Sequence, residues 1–141
     1  MIKNIYEILT EIEAAETRQQ KKTVLQNNNL HHFKEVLKYT FNPSIEFYVD
    51  KEFPVDYIKP DTLPGIRFAG IESEIRRAYL FIKGNETADT LTQEKRKILL
   101  LQLLESFEPQ EAIVWFNMMR KDLKTKGLTE ALVREVYPEL F

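Results

Sequence analysis

Ile2, Ile5, Leu9 and Ile12 recur at spacings of three and four, which predicts a first helix burying a single stripe. Thr17 and Gln20 have the spacing of a capping box, in which each side chain satisfies the other's orphan amide, and they open a second helix through Val24 and Leu25. The three asparagines at 27–29 end it. Leu30, Phe33, Leu37 and Phe41 then mark one face of a third helix. Asn42 followed by Pro43 predicts a cap and first turn for a short helix burying Ile45 with Phe47 or Tyr48.

The periodicity fails at about 50–70, where Pro54, Pro60 and Pro64 punctuate the chain and Gly65 and Gly70 follow. A long loop is expected here, packed down by Phe53, Val55, Tyr57 and Ile66, and it is not a domain boundary. Helical spacing resumes from Ile71 to Lys83, with Gly84 and Asn85 as a stop. Thr90 with Gln93 predicts the cap of the next helix, whose run from Ile98 to Phe107 is apolar nearly all round and so belongs at the centre of a bundle. Pro109 starts another helix reaching to about Lys124, with Trp115, Met118 and Met119 as core. Leu128, Thr129 and Val133 have the pattern of a hydrophobic staple around a capped last helix. The expectation is an all-α single domain spanning residues 1–141, with about six to eight helices.

Composition narrows the functional classes. The chain has no cysteine, which removes disulfides, thiolate metal sites and cysteine nucleophiles and suits a reducing compartment. The stretch Ile98–Leu104 is far shorter than the roughly 20 residues of a membrane span, and the acidic first segment is unlike a signal peptide, so a cytoplasmic location without membrane association is expected. Net charge is −2, yet its distribution is uneven. Arg18, Lys21, Lys22, Lys34 and Lys38 face only Glu35 within residues 17–40, and Arg120, Lys121, Lys124 and Lys126 face only Asp122.

No catalytic constellation emerges. His31 and His32 are adjacent and so project about 100° apart on a helix, the wrong relation for sharing a metal. Ser44, Ser73 and Ser106 lack a nucleophile-elbow context, and no glycine-rich phosphate loop is present. No cofactor, metal or enzymatic activity is expected. What the chain does contain is a candidate phosphate clamp: Gly127 permits close approach of an anion, Thr129 adds a hydroxyl at a helix start, and Lys124 and Lys126 supply charge. The same residues equally describe a solvated helix end, with basic side chains at the terminus, Gly127 closing it and Thr129 capping the next helix.

The stretch IVWFNMMRKDLKTKGLTEALVREVYPELF resembles the end of the amino-terminal DNA-binding domain of ATP-dependent DNA ligases, above all those of tailed phages. In that family a helix ending in a basic Arg/Lys-Asp-Leu element is followed by glycine and a short helix closing on an aromatic-Pro pair. The beginning, IYEILTEIEAAETRQQKKTVLQNNN, is similar to the start of the same domain, whereas the middle of the chain is not. The layout also resembles an uncharacterised family of short, free-standing tailed-phage proteins. The resemblance implies an all-α module lying on duplex DNA through backbone phosphates, in the host cytoplasm if phage-encoded. Carried over by position, Arg120, Lys121, Lys124, Lys126, Gly127, Leu128 and Thr129 match its basic element and glycine turn. The ligase nucleotidyl-lysine motif has no counterpart: Lys59-Pro60-Asp61-Thr62 lacks its glycine and is misplaced. Sequence therefore predicts a non-catalytic duplex-DNA module contacting phosphate through Arg18, Lys21, Lys22, Lys34, Lys38 and the 120–129 element. The alternative is an adaptor or inhibitor of a host or phage protein, acting through the acidic first helix or the 50–70 loop.

Overall fold

The computed structural model describes residues 4–49 and 70–141. They form eight α-helices and no strand: α1 (Ile5–Ala14), α2 (Arg18–Asn27), α3 (His31–Phe41), α4 (Ile71–Glu74), α5 (Glu86–Thr90), α6 (Gln93–Ser106), α7 (Pro109–Met119) and α8 (Glu130–Val136). A 3-10 segment, Ile75–Phe81, continues α4, and another, Pro138–Leu140, follows α8. The all-α expectation holds. The expected proline-containing loop lies, but for Gly70, outside the described residues.

Local chemistry explains the boundaries that sequence identified. The Gln20 amide donates to Thr17 Oγ1 at 3.1 Å while the Thr17 amide donates to Gln20 Oε1 at 3.1 Å, the reciprocal box at the start of α2. Pro109 opens α7, and Thr129 Oγ1 accepts from the Leu132 amide at 3.2 Å to cap α8.

Other expectations are corrected. No helix follows Pro43; the Asn42 side chain instead accepts from the Ser44 amide at 2.9 Å in a local turn. The chain then runs extended, with the Tyr48 amide donating to Phe81 O at 2.7 Å and the Lys83 amide to Glu46 O at 2.8 Å. Those cross-chain bonds occupy the groups that a helix would have used within itself. Asn85 does not only end a segment: its side chain accepts from the Thr87 and Ala88 amides and starts α5. Thr90 consequently finishes α5, and Thr92 takes over as cap of α6, accepting from the Lys95 amide at 3.1 Å.

The central helix is α7, which packs on α1, α3 and α6 and buries Trp115, Met118 and Met119. Helix α6 lies to one side: Leu100, Leu103 and Leu104 are buried while Ile98 remains 44% exposed. An all-round apolar composition suggests the reverse, but among the described residues the neighbours of α6 bury only one of its faces.

Glu111 of α7 is buried, and its Oε1 accepts from the Ile5 amide at 3.3 Å, so one helix caps the first turn of another. Burial pushes its carboxyl above the ordinary value, against the lowering influence of the Ile5 and Tyr6 amides. The folded protein thus holds this proton more tightly than the unfolded chain, and Glu111 lowers stability as pH rises from 4.5 through the raised value. Glu111→Gln keeps an acceptor and removes the titration. Urea melts at a series of pH values from about 4.5 upward should show the variant gaining on the parent as pH rises. A pH-independent difference between the two proteins would refute the assignment.

Candidate nucleic-acid interface

Helix α7 stops five residues before the expected Lys124. The Lys121 amide donates to Met118 O at 3.0 Å and the Asp122 amide to Asn117 O at 3.0 Å, the paired bonds of a Schellman stop. Its left-handed position, normally a glycine, is Lys121 with φ 65. The lysine is tolerated there because its other end is anchored: Nζ donates to Tyr39 O at 2.6 Å and Asn42 O at 2.7 Å, satisfying the last carbonyls of α3. Burial lowers its pKa to about 8, with Glu46 and Glu130 acting in the opposite sense.

Lys21 performs the equivalent service for α1, its Nζ donating to Ile12 O at 2.7 Å and Ala15 O at 2.6 Å. Gly127, at φ 84, lies against the stem of that lysine: a Cβ built on it would come within 2.5 Å of Lys21 Cε. Gly127 therefore does not close α7; it lets the 120–129 connection settle over the end of α1. Lys124 is a third left-handed residue in the same loop, at φ 56, and its amide donates to Asp122 Oδ1 at 2.9 Å. Three positive-φ residues, two of them lysines, stand within residues 121–127.

The two basic clusters thus meet at Lys21 and Gly127. Of the predicted phosphate contacts, the ammonium groups of Lys21 and Lys121 are committed to helix carbonyls, Thr129 Oγ1 to its cap, and the Leu128 amide to Thr125 O at 3.1 Å. Helix α8 has only seven residues, and its start is not a deep anion cradle. Arg120, Lys124 and Lys126 are exposed, Arg120 lying 5.1 Å from the centre of the Phe116 ring. On α2, Arg18 (2.7 Å) and Lys22 pair with Glu135 of α8. Both cations hold the Glu135 carboxyl below its ordinary range, Lys22 more strongly than Arg18. Lys34 pairs with Glu139 at 3.1 Å and lies 5.0 Å from the Tyr137 ring centre; Lys38 lies 3.9 Å from Glu35 and 5.5 Å from the Tyr39 ring centre. These ion pairs are at the surface, where each adds little stability and is readily exchanged for another anion.

His32 is buried in the face of α3 and its pKa is lowered by desolvation, while His31 is exposed. Among the described residues no three acidic, histidine or cysteine side chains are grouped as for a metal, and no helix is long and apolar enough to cross a membrane.

One cationic group escaped the sequence reading. Lys83, Arg96 and Lys97 line a cavity of about 330 Å³ with Tyr48, Val49, Gln93 and Leu100. Its signal was visible as Lys95, Arg96 and Lys97 in succession at the start of a helix, where the peptide dipole disfavours cations.

No curated protein and no solved structure matches this chain. A family model does, over residues 8–125, and the chain belongs to that family of unknown function, DUF6433.

Proposed function

We propose that this member of the DUF6433 family is a non-catalytic module that binds duplex DNA through backbone phosphates without strong sequence preference, and that it serves a phage in the host cytoplasm. The observation carrying the proposal is the loop 121–127, where left-handed lysines and Gly127 are braced on α1 and α3 and bring the two basic clusters together. Left-handed non-glycine backbone costs on the order of 1 kcal/mol per residue, and strain of this kind concentrates at functional sites. Lys21 and Lys121 act as braces; Arg120, Lys124 and Lys126 are the direct phosphate contacts, joined by Arg18 and Lys22 when phosphate displaces Glu135. The resemblance of both chain ends to the ligase DNA-binding domain supports the same surface.

With about four phosphates contacted, affinity should fall about a hundredfold between 50 and 200 mM salt. Fluorescence anisotropy with a labelled duplex measures it. The double variant Lys124→Glu, Lys126→Glu should weaken binding at least about tenfold and flatten the salt dependence. Absence of salt-sensitive binding at micromolar protein would refute the reading.

A second reading, a protein adaptor, is favoured by the open groove of about 270 Å³ between α1 and α7, where Ile113 is 52% exposed beside Tyr6, Leu9 and Val114. The uncharged Ile113→Ser should abolish partner capture on that reading and leave DNA affinity unchanged on the first.

A further inference from the structure

We infer that the cavity between Tyr48 and the start of α6 is a binding site for a phosphoryl group, and this inference stands apart from the DNA reading. Arg96 is oriented in advance. Its guanidinium carbon lies 3.7 Å from the centre of the Tyr48 ring, and its Nε donates to Ala88 O at 3.1 Å. Stacking and that single bond fix the plane of the group, while no hydrogen bond or ion pair to either Nη is formed among the described residues. Two parallel Nη donors are the fork that matches an oxyanion edge.

Tyr48 is itself held. Its hydroxyl donates to Asp89 Oδ1 at 2.5 Å, and the Gly84 amide donates to the same oxygen at 3.0 Å. The Asp89 carboxylate is thus turned to structural use and is not part of the cavity lining. Lys83 stands 5.8 Å from the Tyr48 ring centre and only loosely, at 4.0 Å, from Glu46. Among the described residues the lining carries Lys83, Arg96 and Lys97 and no carboxylate, opposed by the apolar walls of Val49 and Leu100.

The electrostatics point the same way. Lys95, Arg96 and Lys97 occupy the first turns of α6, the positive end of its dipole, where cations are disfavoured. An anion in the cavity relieves that repulsion. A volume of about 330 Å³ suits a phosphoryl group with a small body, and exceeds what an inorganic ion alone would fill.

Titration calorimetry on the whole chain with inorganic phosphate, ribose 5-phosphate and adenosine monophosphate is the test. At least one should bind with sub-millimolar affinity, and Arg96→Gln and Lys83→Gln should each weaken it about tenfold or more. Lys83 is exposed, so its variant remains interpretable if Arg96→Gln fails to fold. Tighter binding of the esters assigns the site to a phosphorylated metabolite; equal affinity assigns it to the free anion. No binding of any of the three at about 10 mM, or binding unchanged in both variants, would overturn the inference. Because Lys124→Glu, Lys126→Glu leaves this cavity intact, phosphate binding should survive in that variant whether or not DNA binding does.

Discussion

Lys121→Met lowers the stability of the fold by about 1–3 kcal/mol, the cost of leaving buried carbonyls without donors. The methylene stem is largely retained, so what disappears is the pair of bonds to Tyr39 O and Asn42 O at the end of α3. At roughly 3–4 °C per kcal/mol for a chain of this length, a thermal melt reads the change directly. Lys121→Gly separates the two roles of the residue: the backbone at φ 65 is relieved, but the same carbonyls are stranded. Its loss should therefore be smaller than that of the Met variant by about 1 kcal/mol. The pH dependence has a definite sign. Between about 8 and the ordinary 10.5 the unfolded chain keeps a proton that the folded Lys121 releases, so this residue raises stability with pH across that window. The neutral amine still carries two protons for the two carbonyls. Lys121→Met should remove that rise, and an unchanged alkaline profile, or a melt within experimental error of the parent, would show that the capping bonds contribute nothing.

Gly127→Val has the other large expected effect, a loss of about 2–4 kcal/mol. Two costs combine: a β-branched residue is forced to φ 84, and its Cβ meets Lys21 Cε at 2.5 Å. A lysine tip would ordinarily swing aside at little cost. This one is fixed by its bonds to Ile12 O and Ala15 O, and moving it uncaps α1. The two sites must therefore be coupled. In a double-mutant cycle, Lys21→Met should already have lost the capping bonds, so Gly127→Ala should cost less in that background than in the parent by about 1 kcal/mol. Strict additivity would mean that Gly127 is required for its backbone alone.

The helices were legible where a side chain announces its role locally. Thr17 with Gln20, Pro109 and Thr129 act within one turn of themselves, and each does in space what its spacing indicated. Tyr48 and Asn85 show the limit. Whether a segment after Asn42 coils or extends was decided by carbonyls and amides at 81–83, distant in sequence, and no local propensity records them. The end of α7 failed for a related reason. The residue that stops it is a lysine in a glycine's place, stabilised from α3, so the stop signal is tertiary. The same holds for the candidate interface. The basic positions were chosen by residue type and place in the chain, but neither says that Lys21 and Lys121 turn inward to carbonyls while Lys124 and Lys126 are exposed. Nor does it reveal the cations around Tyr48, because the ring and Arg96 come together only through the fold.

The last segment is fastened to the first third of the chain. Tyr137 Oη donates to Leu25 O at 2.5 Å across 112 positions, Asn42 Nδ2 donates to Leu140 O at 3.0 Å, and Glu135 gathers Arg18 and Lys22. A nascent chain emerging from the ribosome consequently exposes the outer sides of α2 and α3 until residues 135–140 follow. At about 5–20 residues per second, the interval before residues 130–141 arrive is several seconds, long compared with helix formation. The early helices have time to form and re-form in isolation, and the ordering of the basic surface waits for residues 130–141.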